Sequence, residues 1–144
     1  MGENYQSNYD NSWALVIGIN DYKYAPGLEY AQNDAKEIAE ILIEKYQFKR
    51  EKVITLFDEQ ATKKEILSKF MRFSQSDISK NDRIIFFFAG HGDTLRGNRM
   101  DIGCLIPVDG KPEDISTFIR WDELTRGGWF NKGKTYILYI GCLL

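Results

Sequence analysis

An α/β fold with a mostly parallel sheet is what this chain predicts, on three observations. Short runs rich in β-branched residues are apolar on both faces, as strands covered by helices must be. Between them lie segments whose apolar residues recur at helical spacing. The order is strand, helix, strand, helix, strand, the pattern of right-handed crossover units.

Residues 1–12 are polar, rich in Asn, Tyr and Ser, and follow no period of 2 or 3.6, so they read as a flexible arm ahead of one domain spanning 13–144. Trp13 to Ile19 is the first buried strand, ended by the turn-forming pair Asn20-Asp21. Apolar residues at Ala35, Ile38, Ala39, Leu42 and Tyr46 then mark one helical face, predicting a helix near 33–47. Lys52 to Phe57 is a second strand. Thr62-Lys63-Lys64-Glu65 matches a capping box, in which hydroxyl and carboxylate satisfy backbone N–H donors, so a second helix starts at Lys63 and runs to about 74. Arg83 to Ala89 is the third strand. Beyond it the chain reads as an irregular loop from Gly90 to Met100, an apolar piece at Cys104 to Val108, a turn at Asp109-Gly110, a strand-like Ile115 to Ile119 and a helical turn at Trp121 to Leu124. Thr135 to Ile140 is a last buried strand, and an apolar strand with nothing behind it predicts a domain incomplete at its C-terminus.

Composition narrows the partners. The 144 residues carry 19 Lys and Arg against 21 Asp and Glu, a net charge of −2, so the positive excess that nucleic acid or anionic lipid requires is missing. The longest apolar runs are far below the ~18 residues of a membrane span. Two cysteines and no basic-then-apolar leader argue against a disulfide scaffold and for a reducing cytosol. The serine at position 7 stands one place too late for N-myristoylation, and the C-terminal Cys142-Leu143-Leu144 is one residue short of a prenylation box. One histidine and two distant cysteines do not assemble a zinc site. With no Gly-rich phosphate loop after the first strand and no dedicated acidic loop for calcium, neither a cofactor nor a metal is expected.

Chemistry in open parallel sheets sits beyond the carboxyl ends of the strands. His91 directly follows the third strand and Cys142 the last, so both lie on one rim if those strands are parallel. A thiol held as thiolate by an imidazole is a nucleophile, and the same imidazole can protonate a leaving amine. The glycines around His91 let a substrate backbone approach, and the Gly92 and Cys142 N–H groups can donate to a tetrahedral oxyanion. Read without this chemistry, Gly90-His91-Gly92 is a tight turn and Cys142 a small core residue.

These residues resemble the caspase-like cysteine peptidases, and their metacaspase and bacterial branch more than the animal caspases. Trp13 to Tyr22 is similar to the family's first strand and turn, and Leu28, Ala31 and Asn33-Asp34-Ala35 to its first helix entrance. Val53 to Leu56, Ala61-Thr62, Phe86 to Gly92 and Gly103 to Asp109 continue the resemblance. It implies a three-layer α/β/α sandwich around a mostly parallel six-stranded sheet, with 13–144 as the large-subunit portion. It also implies hydrolysis of peptide bonds by a His91–Cys142 dyad, and the 51 residues separating the pair agree with the family's spacing. Asp34 falls where the metacaspase branch binds an Arg or Lys of its protein or peptide substrate, although a first-turn carboxylate also suits a helix dipole. The family's Asp and Ser around the cysteine are replaced here by Ile140 and Leu144. The expectation is therefore a cysteine endopeptidase, the alternative an inactive caspase-like interaction module. The isolated chain is expected to turn over slowly, because a nucleophile beside a frayed end holds its oxyanion donors loosely.

Overall fold

The structure is a computed structural model that describes residues 5–75, 77–125 and 134–143, with the backbone alone for Thr125 and for 134–143. Its elements are β1 (Ser12–Gly18), α1 (Ala31–Lys45), β2 (Val53–Phe57), α2 (Lys63–Met71), β3 (Arg83–Leu95), β4 (Ile102–Leu105), β5 (Ile119–Arg120), α3 (Trp121–Thr125) and β6 (Lys134–Leu143). No described helix is long and apolar enough to cross a membrane.

The six strands form one mixed sheet, with β3 at its centre. Parallel pairs join β1 to β2, β1 to β3 and β3 to β6, whereas β4 pairs antiparallel with β3 and with β5. The period-2 alternation of strands sorts β1 and β3 between two faces. Trp13, Leu15, Ile17, Ile84, Phe86 and Phe88 pack with Ile66 and Phe70 of α2. Ala14, Val16, Phe87 and Ala89 pack with Ala31, Ala35, Ala39 and Leu42 of α1 on the other face. Two-faced burial explains why these strands read as continuous apolar runs, and makes the three layers expected of a caspase-like α/β/α sandwich. Thr62 caps α2 as expected, its hydroxyl accepting the Glu65 N–H at 3.2 Å.

Three stretches depart from the sequence reading, one of them the last strand, which runs on past Ile140 to Leu143 and so contains Cys142 rather than ending before it. The expected loop after Ala89 is strand as far as Leu95, because β4 and β6 supply partners for a glycine-containing backbone of low intrinsic strand preference. The strand-like Ile115 to Ile119 is instead a 3-10 turn over Ile115–Thr117. The Asp114 carboxylate accepts the Ser116 N–H at 3.1 Å there, and only Ile119–Arg120 pairs in the sheet.

At the N-terminal end of the sheet, residues 5–11 lie against the domain. The Arg83 side chain, 7% exposed, donates to Ser12 Oγ, to the Tyr5 hydroxyl and to the Tyr46 carbonyl, and its guanidinium lies over the Tyr5, Tyr9 and Phe48 rings. Beside it, fully buried Asp82 accepts from Trp13 Nε1 at 3.0 Å, Ser79 N at 3.1 Å, Ser79 Oγ at 3.0 Å and Asn11 Nδ2 at 3.3 Å. Burial works to raise the Asp82 pKa, but the hydrogen bonds outweigh it and hold the carboxyl below its ordinary value. A lowered native pKa stabilises the fold above the unfolded value of about 3.9, and that contribution drains away as pH falls through the lowered pKa. Urea unfolding is expected to show Asp82→Asn less stable by about 2 kcal/mol at neutral pH, with the difference smaller at a pH below the ordinary carboxyl value of about 3.9. An equal difference at both pH values would refute the ionised network.

Candidate active site

His91 sits where β3 changes neighbours. On one edge, β1 pairs with β3 along Arg83–Ala89 and β4 takes over at Gly92–Leu95. On the other edge, β6 runs alongside from Arg83 to Gly92. His91 thus occupies the junction at which β1 leaves the sheet, the kind of place where α/β folds open a crevice.

The imidazole is only 3% exposed. Its Nε2 lies 2.7 Å from the Pro26 carbonyl oxygen. A carbonyl only accepts, so Nε2 carries the proton and Nδ1 of the neutral ring keeps its lone pair. Nδ1 is buried and has no hydrogen-bond partner among the described residues. The Tyr22 ring packs against the imidazole at 4.7 Å between centroids, and the Tyr22 hydroxyl accepts the His91 backbone N–H at 2.7 Å.

Both Tyr22 and Pro26 belong to the segment between β1 and α1, which is held in turn by its own polar groups. Asn20 accepts the Gln32 N–H on its side chain and the Leu28 N–H on its carbonyl. Asp58, at the end of β2 with φ of 45°, accepts the N–H groups of Asn20 at 2.8 Å and Asp21 at 3.1 Å, and the Gln32 amide at 3.0 Å. A non-glycine residue in the left-handed region is held there at some cost, and here its reward is a carboxylate aimed at the loop that clamps His91.

The β3–β6 register pairs His91 with Cys142, so the two candidate residues are neighbours on adjacent strands. Alternation along β3 turns the His91 N–H and C=O toward the Tyr22 and Ile106 side, and therefore the Gly92 N–H toward β6. Asp34 lies in the first turn of α1 at the same end of the sheet, half-buried, with no side-chain hydrogen bond among the described residues. The other cysteine, Cys104, is buried on β4, and burial, followed by the Asp93 charge, pushes its thiol pKa up, which keeps it a poor nucleophile. No group of His, Cys, Asp and Glu able to hold a metal occurs among the described residues.

Sequence reasoning missed Tyr22, Pro26 and Asp58 as parts of this site. Pro26 acts through its main chain and leaves no side-chain pattern to find, and Tyr22 and Asp58 act across 69 and 38 residues of chain.

Comparison with known proteins bears on the same region. Metacaspase-1 of Schizosaccharomyces pombe is 30% identical over 123 residues, covering 79% of this chain and 28% of the yeast protein. Metacaspase-1B of Neurospora crassa is 33% identical over 107 residues, covering 70% of this chain and 22% of its own length. The chain thus spans about a quarter of the length of these curated relatives. The crystal structure of protein GSU0716 from Geobacter sulfurreducens superposes with a TM-score of 0.69 at 19% identity, over 92% of this chain and 50% of that one, a likeness of fold. The Caspase domain family matches residues 11–130, a span that holds β1 to α3 and His91 and stops short of β6. A match over most of the chain, with metacaspases at about 30% identity beside it, means that this protein belongs to the caspase-domain family.

Proposed function

We propose that this domain is a cysteine endopeptidase in which His91 is the base, Cys142 the nucleophile, Gly92 an oxyanion donor and Asp34 part of a pocket for a basic substrate residue. The observation that carries the reading is the Pro26 carbonyl on His91 Nε2, which leaves Nδ1 buried and without a partner among the described residues, on a strand whose neighbour at that register is Cys142. In this mechanism Nδ1 takes the thiol proton, and the thiolate attacks the scissile carbonyl carbon to form a C–S bond. The tetrahedral oxyanion takes hydrogen bonds from the Gly92 and Cys142 N–H groups, which must first be released from the β3–β6 ladder that this register forms. Collapse breaks the C–N bond, the imidazolium gives its proton to the amine, and water hydrolyses the thioester. Throughout, Nε2–H donates to the Pro26 oxygen, which favours the imidazolium once it forms. The Asp34 carboxylate, without a side-chain hydrogen bond among the described residues, suits an Arg or Lys of a protein substrate, and a thiolate enzyme works in a reducing compartment such as the cytosol. No cofactor or nucleic acid enters this chemistry.

The replacement of the family's Asp and Ser by Ile140 and Leu144 favours a second reading, an inactive domain that binds protein partners. Fluorogenic peptides ending in Arg, Lys or Asp separate the two. Slow turnover after Arg or Lys that Cys142→Ala reduces to background is expected. Indistinguishable rates for the chain and Cys142→Ala would favour the interaction module.

A further inference from the structure

The hydrogen bonds around His91 contain an irregularity that neither the fold nor the dyad requires. The β3–β4 register pairs Gly92 with Leu105, which sets His91 opposite Ile106 at the next position. In an antiparallel ladder such a pair exchanges two N–H···O bonds. One of them is made, from Ile106 N to the His91 carbonyl at 3.0 Å. In place of the other stands the Tyr22 hydroxyl, accepting the His91 N–H at 2.7 Å and donating to the Ile106 carbonyl at 3.1 Å. A side chain has been inserted into the ladder at the candidate base.

The surroundings are fitted to this insertion. A Cβ at Gly90 would come within 2.5 Å of the Tyr22 oxygen, so only glycine at 90 admits the hydroxyl. The Tyr22 ring also forms one wall of the imidazole's site, at 4.7 Å. One side chain therefore fixes the His91 main chain through its hydroxyl and the imidazole through its ring, while its own segment delivers the Pro26 oxygen to Nε2.

We propose that Tyr22 is a positioning residue for His91, a hydroxyl wedge that holds the β3–β4 ladder open at this point so that the imidazole meets the Pro26 carbonyl and keeps Nδ1 unprotonated. Its catalytic consequence rests on the peptidase reading above, whereas its effect on the imidazole does not. Without the hydroxyl, His91 and Ile106 either close into a direct ladder bond or leave two buried groups unsatisfied. Either outcome moves the His91 backbone away from the position that the Pro26 contact requires.

The test is Tyr22→Phe, which keeps the ring and removes only the hydroxyl. His91 is the one histidine of the chain, so its ring nitrogens are read by 15N NMR without assignment ambiguity. At about pH 8.5, well above the ordinary imidazole value, the parent protein should show the Nε2–H tautomer. Tyr22→Phe should show a mixture with Nδ1–H, and its His91 amide should exchange with solvent on the order of tenfold faster. With a basic fluorogenic peptide, kcat should fall on the order of tenfold with KM within about twofold. Parent-like tautomer and amide exchange in Tyr22→Phe, with only Tyr22→Leu impaired, would reduce Tyr22 to a packing residue and overturn the proposal. Absence of turnover in the parent protein would count against the peptidase reading, while the NMR measurement would still decide the role of Tyr22.

Discussion

His91→Ala is expected to reduce peptide hydrolysis on the order of a thousandfold, the range lost when a positioned general base is removed. The same substitution should change the pH dependence of Cys142 alkylation by iodoacetamide. If Nδ1 takes the thiol proton as the thiol reacts, the parent chain alkylates readily at neutral pH. Without the base, reactivity should rise only toward the ordinary thiol value near 8.5. The readout is clean because the second cysteine, Cys104, is 4% exposed and its thiol is kept protonated by burial and by Asp93. Nδ1 has no partner among the described residues, so removing the ring relieves one unsatisfied buried group even as it opens a cavity. A thermal melt then separates loss of chemistry from loss of fold. An alkylation profile unchanged by His91→Ala, in a variant that stays folded, would break the link between the two residues that β3 and β6 place side by side.

Gly18→Val is expected to have the largest effect on stability. Gly18 ends β1 beneath the first turns of α1. A Cβ there would meet Ala35 Cβ at 2.7 Å, the Ala31 carbonyl oxygen at 2.8 Å and Gln32 Cα at 2.9 Å. Two of these three are helix backbone, so the clash cannot be relieved by rotating a side chain, and α1 must lift from the sheet. Overpacking of this kind costs about 3 kcal/mol or more, a large part of a domain's net stability of roughly 5–15 kcal/mol. At a slope of about 2 kcal/mol per molar urea, the unfolding midpoint should drop by more than ~1 M. Lifting α1 also pulls on Gln32, which bonds Asn20 and Asp58, so the loop that carries Tyr22 and Pro26 should loosen and His91 amide protection should fall with it. A midpoint equal to the parent's would show that α1 does not pack on β1 at Gly18 as described.

What could be read in the sequence was the part governed by local pattern. Continuous apolar runs at Trp13 to Ile19 and Ile84 to Ala89 announce strands buried on both faces, because only a sheet covered on both sides hides every residue of such a run. The Ala35, Ile38, Ala39 and Leu42 face of α1 and the Thr62 cap of α2 are equally local, since helix periodicity and capping act within a few residues. The extension of β3 through Gly90 and Gly92 was not legible, because glycine's own preferences argue against a strand and the partners that override them come from β4 and β6. Ile115 to Ile119 misled for the converse reason. Its β-branched composition suits a strand, yet the Asp114 side chain captures the local N–H donors in a turn.

The candidate site divides along the same line. By itself the sequence determined that a histidine and a cysteine stand just beyond the ends of two apolar runs, and that Asp34 lies near the start of a helix. Only the tertiary structure decided which imidazole nitrogen carries the proton, through a carbonyl 65 residues away. It alone decided that a tyrosine hydroxyl 69 residues from His91 occupies the ladder position beside it. Hydrogen bonds of that range are set by how the β1–α1 segment crosses the end of the sheet. Such a crossing depends on the packing of whole layers and leaves no periodicity in the residues that make it.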